Sequence, residues 1–304
     1  MPPHDTILVD LSYKGLIRAS GPDSVAFLQG QLSTDIEQLT PAASQLSSWS
    51  NAKGRVVAVL RLFRRDDHIY MALAASLKST VLKRLSMYVL RSKVTLADSG
   101  DEISTLGLIG DGAAALLSGA GIPVPPRVND VTRVDGIQTV RLHGELPRYA
   151  IYGDNEALGT LRQRWQGAAT PGNEDLWALH KVLAGEPTVY AETSEHFVAQ
   201  MLGLDELGGI DYKKGCYIGQ EVIARAHYRG GVKRHLARAE SRSTAHLKPG
   251  TDIHALGQES PVAEVVDARM DARGVWQMLV VVQDDFRDAD LMHGAGGAPV
   301  TLVS

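Results

Sequence analysis

Residues 211–236 read DYKKGCYIGQEVIARAHYRGGVKRHL. Cys216 is the only cysteine in 304 residues; Lys213, Lys214 and Gly215 precede it and Tyr217, Ile218 and Gly219 follow. An inert cysteine sits more usually among apolar neighbours. Gly215 and Gly219 permit backbone angles and close approaches that a Cβ forbids. The pattern from Gln220 to Tyr228 predicts a short helix with Ile218, Val222, Ile223 and Ala226 on roughly one face. A helix starting near Gly219 puts the thiol just before its N-terminus. The partial positive charge there, with two nearby ammonium groups, favours thiolate over thiol.

KKGCYIGQE followed by ARAHYRGGVKR resembles the signature of the YgfZ-type folate-binding proteins, relatives of the glycine-cleavage T-protein, an aminomethyltransferase. The resemblance continues upstream through TSEHFVAQMLGLDELGGIDYKKGC and, more loosely, to GPDSVAFLQGQLSTDI and NAKGRV, leaving out the last ~70 residues. It implies an α+β protein: a T-protein-like ring of two α+β lobes plus a C-terminal small β-barrel, with folate in the central hole. It also implies work in iron-sulfur cluster assembly or repair, including clusters of radical enzymes that modify tRNA.

Lys+Arg minus Asp+Glu is 31 − 35 = −4, which argues against a protein that coats nucleic acid, so no direct nucleic-acid binding is expected. One cysteine rules out an internal disulfide and any zinc or cluster site held by several cysteines of one chain. The ten histidines show no zinc-ligand spacing, and no metal site is expected. MPPHDTILVD lacks the basic start and apolar run of a signal peptide, and no stretch approaches the ~20 apolar residues that span a bilayer. The expected location is cytoplasmic, without membrane contact.

Along the chain, ILVDL and GLIRAS read as strands and a helix starts at GPDS. LSSWS, RVVAVLRLF and HIYMALA read as an antiparallel meander turned at Asn51-Ala52-Lys53-Gly54 and Arg65-Asp66-Asp67. SLKSTVLKRLSMYVL predicts a helix with Leu77, Val81, Leu85 and Val89 as its buried stripe, and KVTLAD a closing strand. STLGLIG with DGAAALLSG, and RYAIYG with DNEALGTLRQRWQ, read as two strand-then-helix pieces around a loop at 121–126. EDLWALHKVLAGEP is a short helix ended by Gly185 and Pro187. HLARAES, DIHAL, VAEVVDA, WQMLVVVQ and PVTLVS read as a small barrel or sandwich. The expected division is a first lobe of 1–98 with 175–231, a second lobe of 99–174 and a barrel of 232–304. No phosphate-cradling glycine motif occurs.

Trp177 reads either as a core aromatic or as a flat wall for a folate ring, and the resemblance implies the second. The family carries an acid before Ala-Gly to meet the pterin edge, where this chain has Leu183. The aminomethyltransferase relatives carry an acidic pair, one member catalytic, where KGRVVAVL places Ala58 and Val59. Lys214 is read as a thiolate stabiliser or a partner for a folate glutamate tail, and Gln220 and Glu221 as helix-start or ligand-positioning residues. Arg225 and Arg229, four apart on one helical face, suit carboxylates.

These readings converge on an accessory protein that binds tetrahydrofolate or a derivative. Cys216 and Lys214 would be its chemical residues. Trp177, Lys213, Tyr217, Gln220, Glu221, Arg225 and Arg229 would line the folate site, and iron-sulfur assembly or client proteins would be its partners. The alternative is a tetrahydrofolate-dependent one-carbon transferase.

Overall fold

The structure is a computed structural model that describes residues 6–294 and 297–303. The residues at 1–5 and the last residue of PVTLVS, Ser304, lie outside the described residues. The chain divides into two compact units, Met1–Leu28 with Ile36–Gln45 and Leu60–Trp177, and Gln29–Asp35 with Leu46–Val59 and Ala178–Ser304.

The first part of the chain forms β1 (Ile7–Asp10), β2 (Gly15–Ser20), α1 (Ser24–Gln29), β3 (Gln45–Ser50), β4 (Val56–Arg65), β5 (His68–Leu73), α2 (Ala75–Ser86) and β6 (Thr95–Asp98). Their sheet has the order β3-β4-β5-β2-β6, so the meander expected from sequence is present and β2 joins it against β5. Leu77, Val81 and Leu85 are buried on α2. The helix stops at Ser86, short of Val89, which corrects its expected length. Ser86 Oγ bonds back to the Leu82 carbonyl, a competitor to the helical ladder, and Leu90 beyond it is 86% exposed, so nothing packs there to extend the helix.

Next come β7 (Ser104–Ile109), α3 (Ala113–Gly119), β8 (Val131–Val134), β9 (Ile137–Leu142), β10 (Arg148–Gly153), α4 (Asn155–Arg164), β11 (Thr170–Gly172) and α5 (Glu174–Leu183). Six strands form a sheet in the order β11-β1-β7-β10-β9-β8, so β1 pairs with strands of the 99–174 stretch. The β8–β9 hairpin, absent from the expectation drawn from sequence, turns at Asp135 (φ 45°) and Gly136 (φ 77°), the left-handed pair that a two-residue hairpin loop requires. Asp154 caps α4 by accepting from the Ala157 N–H at 2.8 Å. One apolar cluster joins Val9, Leu11, Phe63, Tyr70, Tyr152 and Trp177; a second joins Leu106, Leu108, Leu117, Tyr149, Leu158 and Trp165.

The last part holds α6 (Gln220–Arg229), β12 (Arg234–Ser241), β13 (Asp252–Ala255), β14 (Ala263–Met270), β15 (Trp276–Gln283), β16 (Leu291–His293) and β17 (Pro299–Val303). The six strands close into a barrel, β12-β15-β14-β13-β16-β17, around Ala239, Ile253, Val265, Met278, Val280 and Val282. Closure leaves no long open sheet edge, which suits a small antiparallel unit with one interior. Among the described residues no helix is long and apolar enough to cross a membrane.

Candidate functional site

The loop carrying Cys216 is held from both ends. The Asp211 N–H donates to the Ser33 carbonyl at 2.9 Å, and the Asp211 carboxylate accepts from the backbone N–H groups of Lys213 (2.7 Å) and Lys214 (3.1 Å). At the far end the Ile218 N–H reaches the Gly30 carbonyl at 3.3 Å. Between them Lys214, 8% exposed, sends Nζ to the carbonyls of Gln29 (2.7 Å), Leu32 (2.7 Å) and Thr34 (2.8 Å). An ammonium has three donors, and a buried one requires a partner for each. The same Nζ lies 5.0 Å from the ring centroid of buried Tyr217.

The Lys214 ammonium thus ties the loop to the 29–34 segment, where the sequence suggests a thiolate stabiliser or a partner for a folate glutamate tail. Cys216 itself is exposed, as is Lys213. A thiol fixed by backbone anchors and open to solvent is suited to meeting a second molecule.

Gly219 opens α6 with φ 81°, and a Cβ there would stand 2.6 Å from the Asn51 carbonyl oxygen and 3.0 Å from the Gly54 Cα. The helix start therefore rests on the 51–54 turn, at a distance only glycine allows. Asn51 builds that turn: its side-chain oxygen accepts from the N–H groups of Lys53 (2.9 Å) and Arg55 (3.1 Å), and its amide donates to Glu195 at 2.8 Å. Further along α6 the Gln200 amide donates to the Ile223 carbonyl at 2.6 Å, and Ile223 is fully buried. The apolar face is narrower than its periodicity predicts: Ile218 and Ala226 are half-buried and Val222 is exposed.

Glu221 and Arg225, both exposed, pair with each other at 3.0 Å, one turn apart; Gln220 is half-buried and Arg229 exposed. Trp177 is 1% exposed inside the first unit's core, where a Cβ on Gly107 would stand 2.4 Å from its ring. The Arg148 guanidinium and Lys14 ammonium lie 5.2 and 5.3 Å from the ring centroid. The ring is packed on these neighbours in place of presenting a bare face; the indole N–H, though buried, has no acceptor among the described residues. Ala58 is fully buried on β4. Glu186 is buried and sits 3.5 Å from Lys181 Nζ, just past the end of α5 at Gly185 (φ 67°). Among the described residues no three His, Cys, Asp or Glu side chains converge as a metal site would need.

Two groups escaped the sequence reading. Tyr212 and His227 stack at 3.8 Å between centroids with Tyr228 edge-on to both, a trio signalled only by aromatics fifteen residues apart. Burial, with Asp205 nearby, pushes the Tyr212 hydroxyl up to about 12. In the barrel, fully buried Asp267 accepts from the Tyr190 hydroxyl (2.9 Å) and from Arg269 (2.7 Å), at a bulge in β14. Burial pushes its carboxyl up, against the pull of Arg269 and Tyr190.

Residues 4–122 match the GCVT N-terminal domain. Over its whole length the fold is similar to that of the glycine cleavage system aminomethyltransferase T from Bartonella henselae, with a TM-score of 0.79 at 16% identity, covering 99% of this chain and 86% of that one. The chain is 34% identical over 233 residues to the tRNA-modifying protein YgfZ of Colwellia psychrerythraea (76% of this chain, 71% of that protein). It is 35% identical over 248 residues to that of Cronobacter sakazakii (81% and 74%). With a T-protein-like fold and that identity over most of its length, the chain belongs to the YgfZ family of tRNA-modifying proteins.

Proposed function

We propose that this protein is a folate-binding accessory factor for iron-sulfur cluster assembly or repair, supporting cluster-dependent enzymes that include tRNA-modifying ones, in the cytoplasm. The observation that carries the reading is the exposed Cys216 on a loop anchored at Asp211, Lys214 and Ile218. An open, positioned thiol can attack a partner's disulfide, forming a mixed disulfide and releasing a thiolate, or lend one ligand to iron. One thiolate does not hold a cluster, so the remaining ligands come from a second chain or a small thiol.

Tetrahydrofolate or a derivative is the proposed cofactor, and it would supply a one-carbon carrier or an allosteric signal. Its fit to these residues is partial. The orphaned indole N–H of Trp177 suits a hydrogen bond to a ligand acceptor. Lys213, Arg225 and Arg229 are exposed cations suited to carboxylates, with Tyr217, Gln220 and Glu221 in the same segment. Leu183 offers no acceptor to the pterin donors.

The thiol is tested by complementation of cells lacking their own family member: wild type rescues and Cys216→Ala does not. Equal rescue removes the thiol from the mechanism. Folate binding is tested by fluorescence quenching, where Leu183→Glu is expected to tighten binding about 5- to 100-fold by pairing pterin donors. Aminomethyl transfer is the second reading, favoured by the fold; against it, apolar Ala58 and Val59 stand where the relatives' acids are expected, leaving no proton-handling group. Turnover of methylene-tetrahydrofolate with an amine acceptor would establish it.

A further inference from the structure

A chain of net charge −4 is not expected to touch nucleic acid, yet its charge is unevenly placed. Between Glu221 and Glu240 there is no acid, while Arg225, Arg229, Lys233, Arg234 and Arg238 all fall there. Arg229, Lys233 and Arg234 are exposed, and their side chains make no hydrogen bond or ion pair among the described residues. Amid them Tyr228 is 68% exposed. Its ring is braced at 4.7 Å and 79° against His227, which itself stacks on Tyr212, so it stands as a supported plate.

We propose that this surface, Tyr228 with Arg229, Lys233 and Arg234, binds a single-stranded nucleic-acid segment: an unpaired base stacks on Tyr228 and neighbouring phosphates sit on the cations. Every base has a π-face, and aromatic plates set among cations bind single strands by stacking and counterion release. An acidic protein helix is the poorer match, since it would need an apolar groove. On α6 the large apolar side chains left exposed are Val222 and Tyr228 only. The inference goes beyond the accessory-factor reading and does not involve Cys216; it shares Arg229 with the proposed folate site, while Tyr228, Lys233 and Arg234 lie outside that set, so either can fail alone.

The test is fluorescence anisotropy with the full-length chain and fluorescein-labelled oligonucleotides of about 12 nucleotides, a site size typical of single-strand binders. Single-stranded RNA and DNA of one mixed sequence are compared with their duplex. Binding is expected to the single strands, weaker to the duplex, and weakening with salt; RNA against DNA tells which sugar is preferred. Tyr228→Ala should lower affinity about 5- to 150-fold, and Tyr228→Phe, which keeps the plate, should restore it. Arg229→Gln with Lys233→Gln should reduce the slope of log affinity against log salt by about 1.4, at ~0.7 for each phosphate no longer neutralised. Tyr228 is mostly exposed, so an unchanged urea midpoint is expected for the alanine variant. No binding at low salt, equal affinity for duplex, wild-type affinity in Tyr228→Ala, or tighter binding of a polyglutamate peptide to the same surface would each overturn the proposal.

Discussion

Lys214 Nζ lies 2.7 Å from the carbonyl oxygen of Leu32, a contact across 182 residues of sequence, and completes its donor set on Gln29 and Thr34. A lysine that reads in sequence as half of a basic pair beside a thiol is in space a buried tie between two loops. Lys214→Met should destabilise the protein by about 3 kcal/mol, since three carbonyls lose a charged donor in a place water reaches poorly. Urea denaturation measures this. A change within experimental error would mean the ammonium is solvated and the tie is not structural.

Gly219 and Asn51 set a second constraint. With φ at 81° and the Asn51 oxygen 2.6 Å from where a Cβ would stand, Gly219→Ala is strained twice over, by conformation and by collision with backbone. A loss of about 2–3 kcal/mol is expected. Gly215→Ala, whose Cβ would meet nothing within 4 Å, should stay within about 0.5 kcal/mol. Similar losses at both positions would remove the packing argument for the start of α6.

Cys216 is exposed, so iodoacetamide at neutral pH should add one carboxamidomethyl group to the native chain and none to Cys216→Ala. Mass spectrometry reads the stoichiometry, and adding urea should speed the reaction little. Labelling confined to denatured protein would mean that the loop shields its sulfur.

Gly107 and Trp177 are in contact closely enough that a methyl group at 107 would lie 2.4 Å from the indole. Gly107→Ala should lower stability by about 1–3 kcal/mol and shift tryptophan emission as the ring moves. If emission and melting temperature both stay put, the packing around the indole is looser than described.

Asp267 titrates against its surroundings. Burial raises its folded pKa above the ~3.9 of an unfolded chain, so the native state holds more protons than the unfolded state between the two values. Its contribution to stability therefore falls as pH rises from about 4 through the folded pKa. Relative to Asp267→Asn, which keeps an acceptor for Tyr190, the wild type should lose stability over that window. Parallel urea midpoints for the two proteins across pH would show that the carboxyl keeps its ordinary range. Asp267→Leu should cost about 3 kcal/mol by leaving Arg269 without its anion.

Local rules were enough for much of the chain. The meander turns, the Leu77–Val81–Leu85 stripe, the stop of α5 at Gly185 and the short barrel strands all follow from periodicity and turn chemistry, which act over a few residues. The KKGCYIGQE motif marked the cysteine loop and the family for the same reason: neighbours in sequence carry it. The β8–β9 hairpin, absent from the expectation, also carries a local signal: Asp135-Gly136 between two alternating runs. What side chains do at long range was not legible. Whether Lys214 faces a thiol or three carbonyls, whether Trp177 lines a site or fills a core, and whether Tyr228 stands alone or is braced by Tyr212 depend on segments far away in the chain. A charge or a ring has no intrinsic role in sequence; desolvation and the partners brought within hydrogen-bond distance assign it, and only the tertiary fold supplies those.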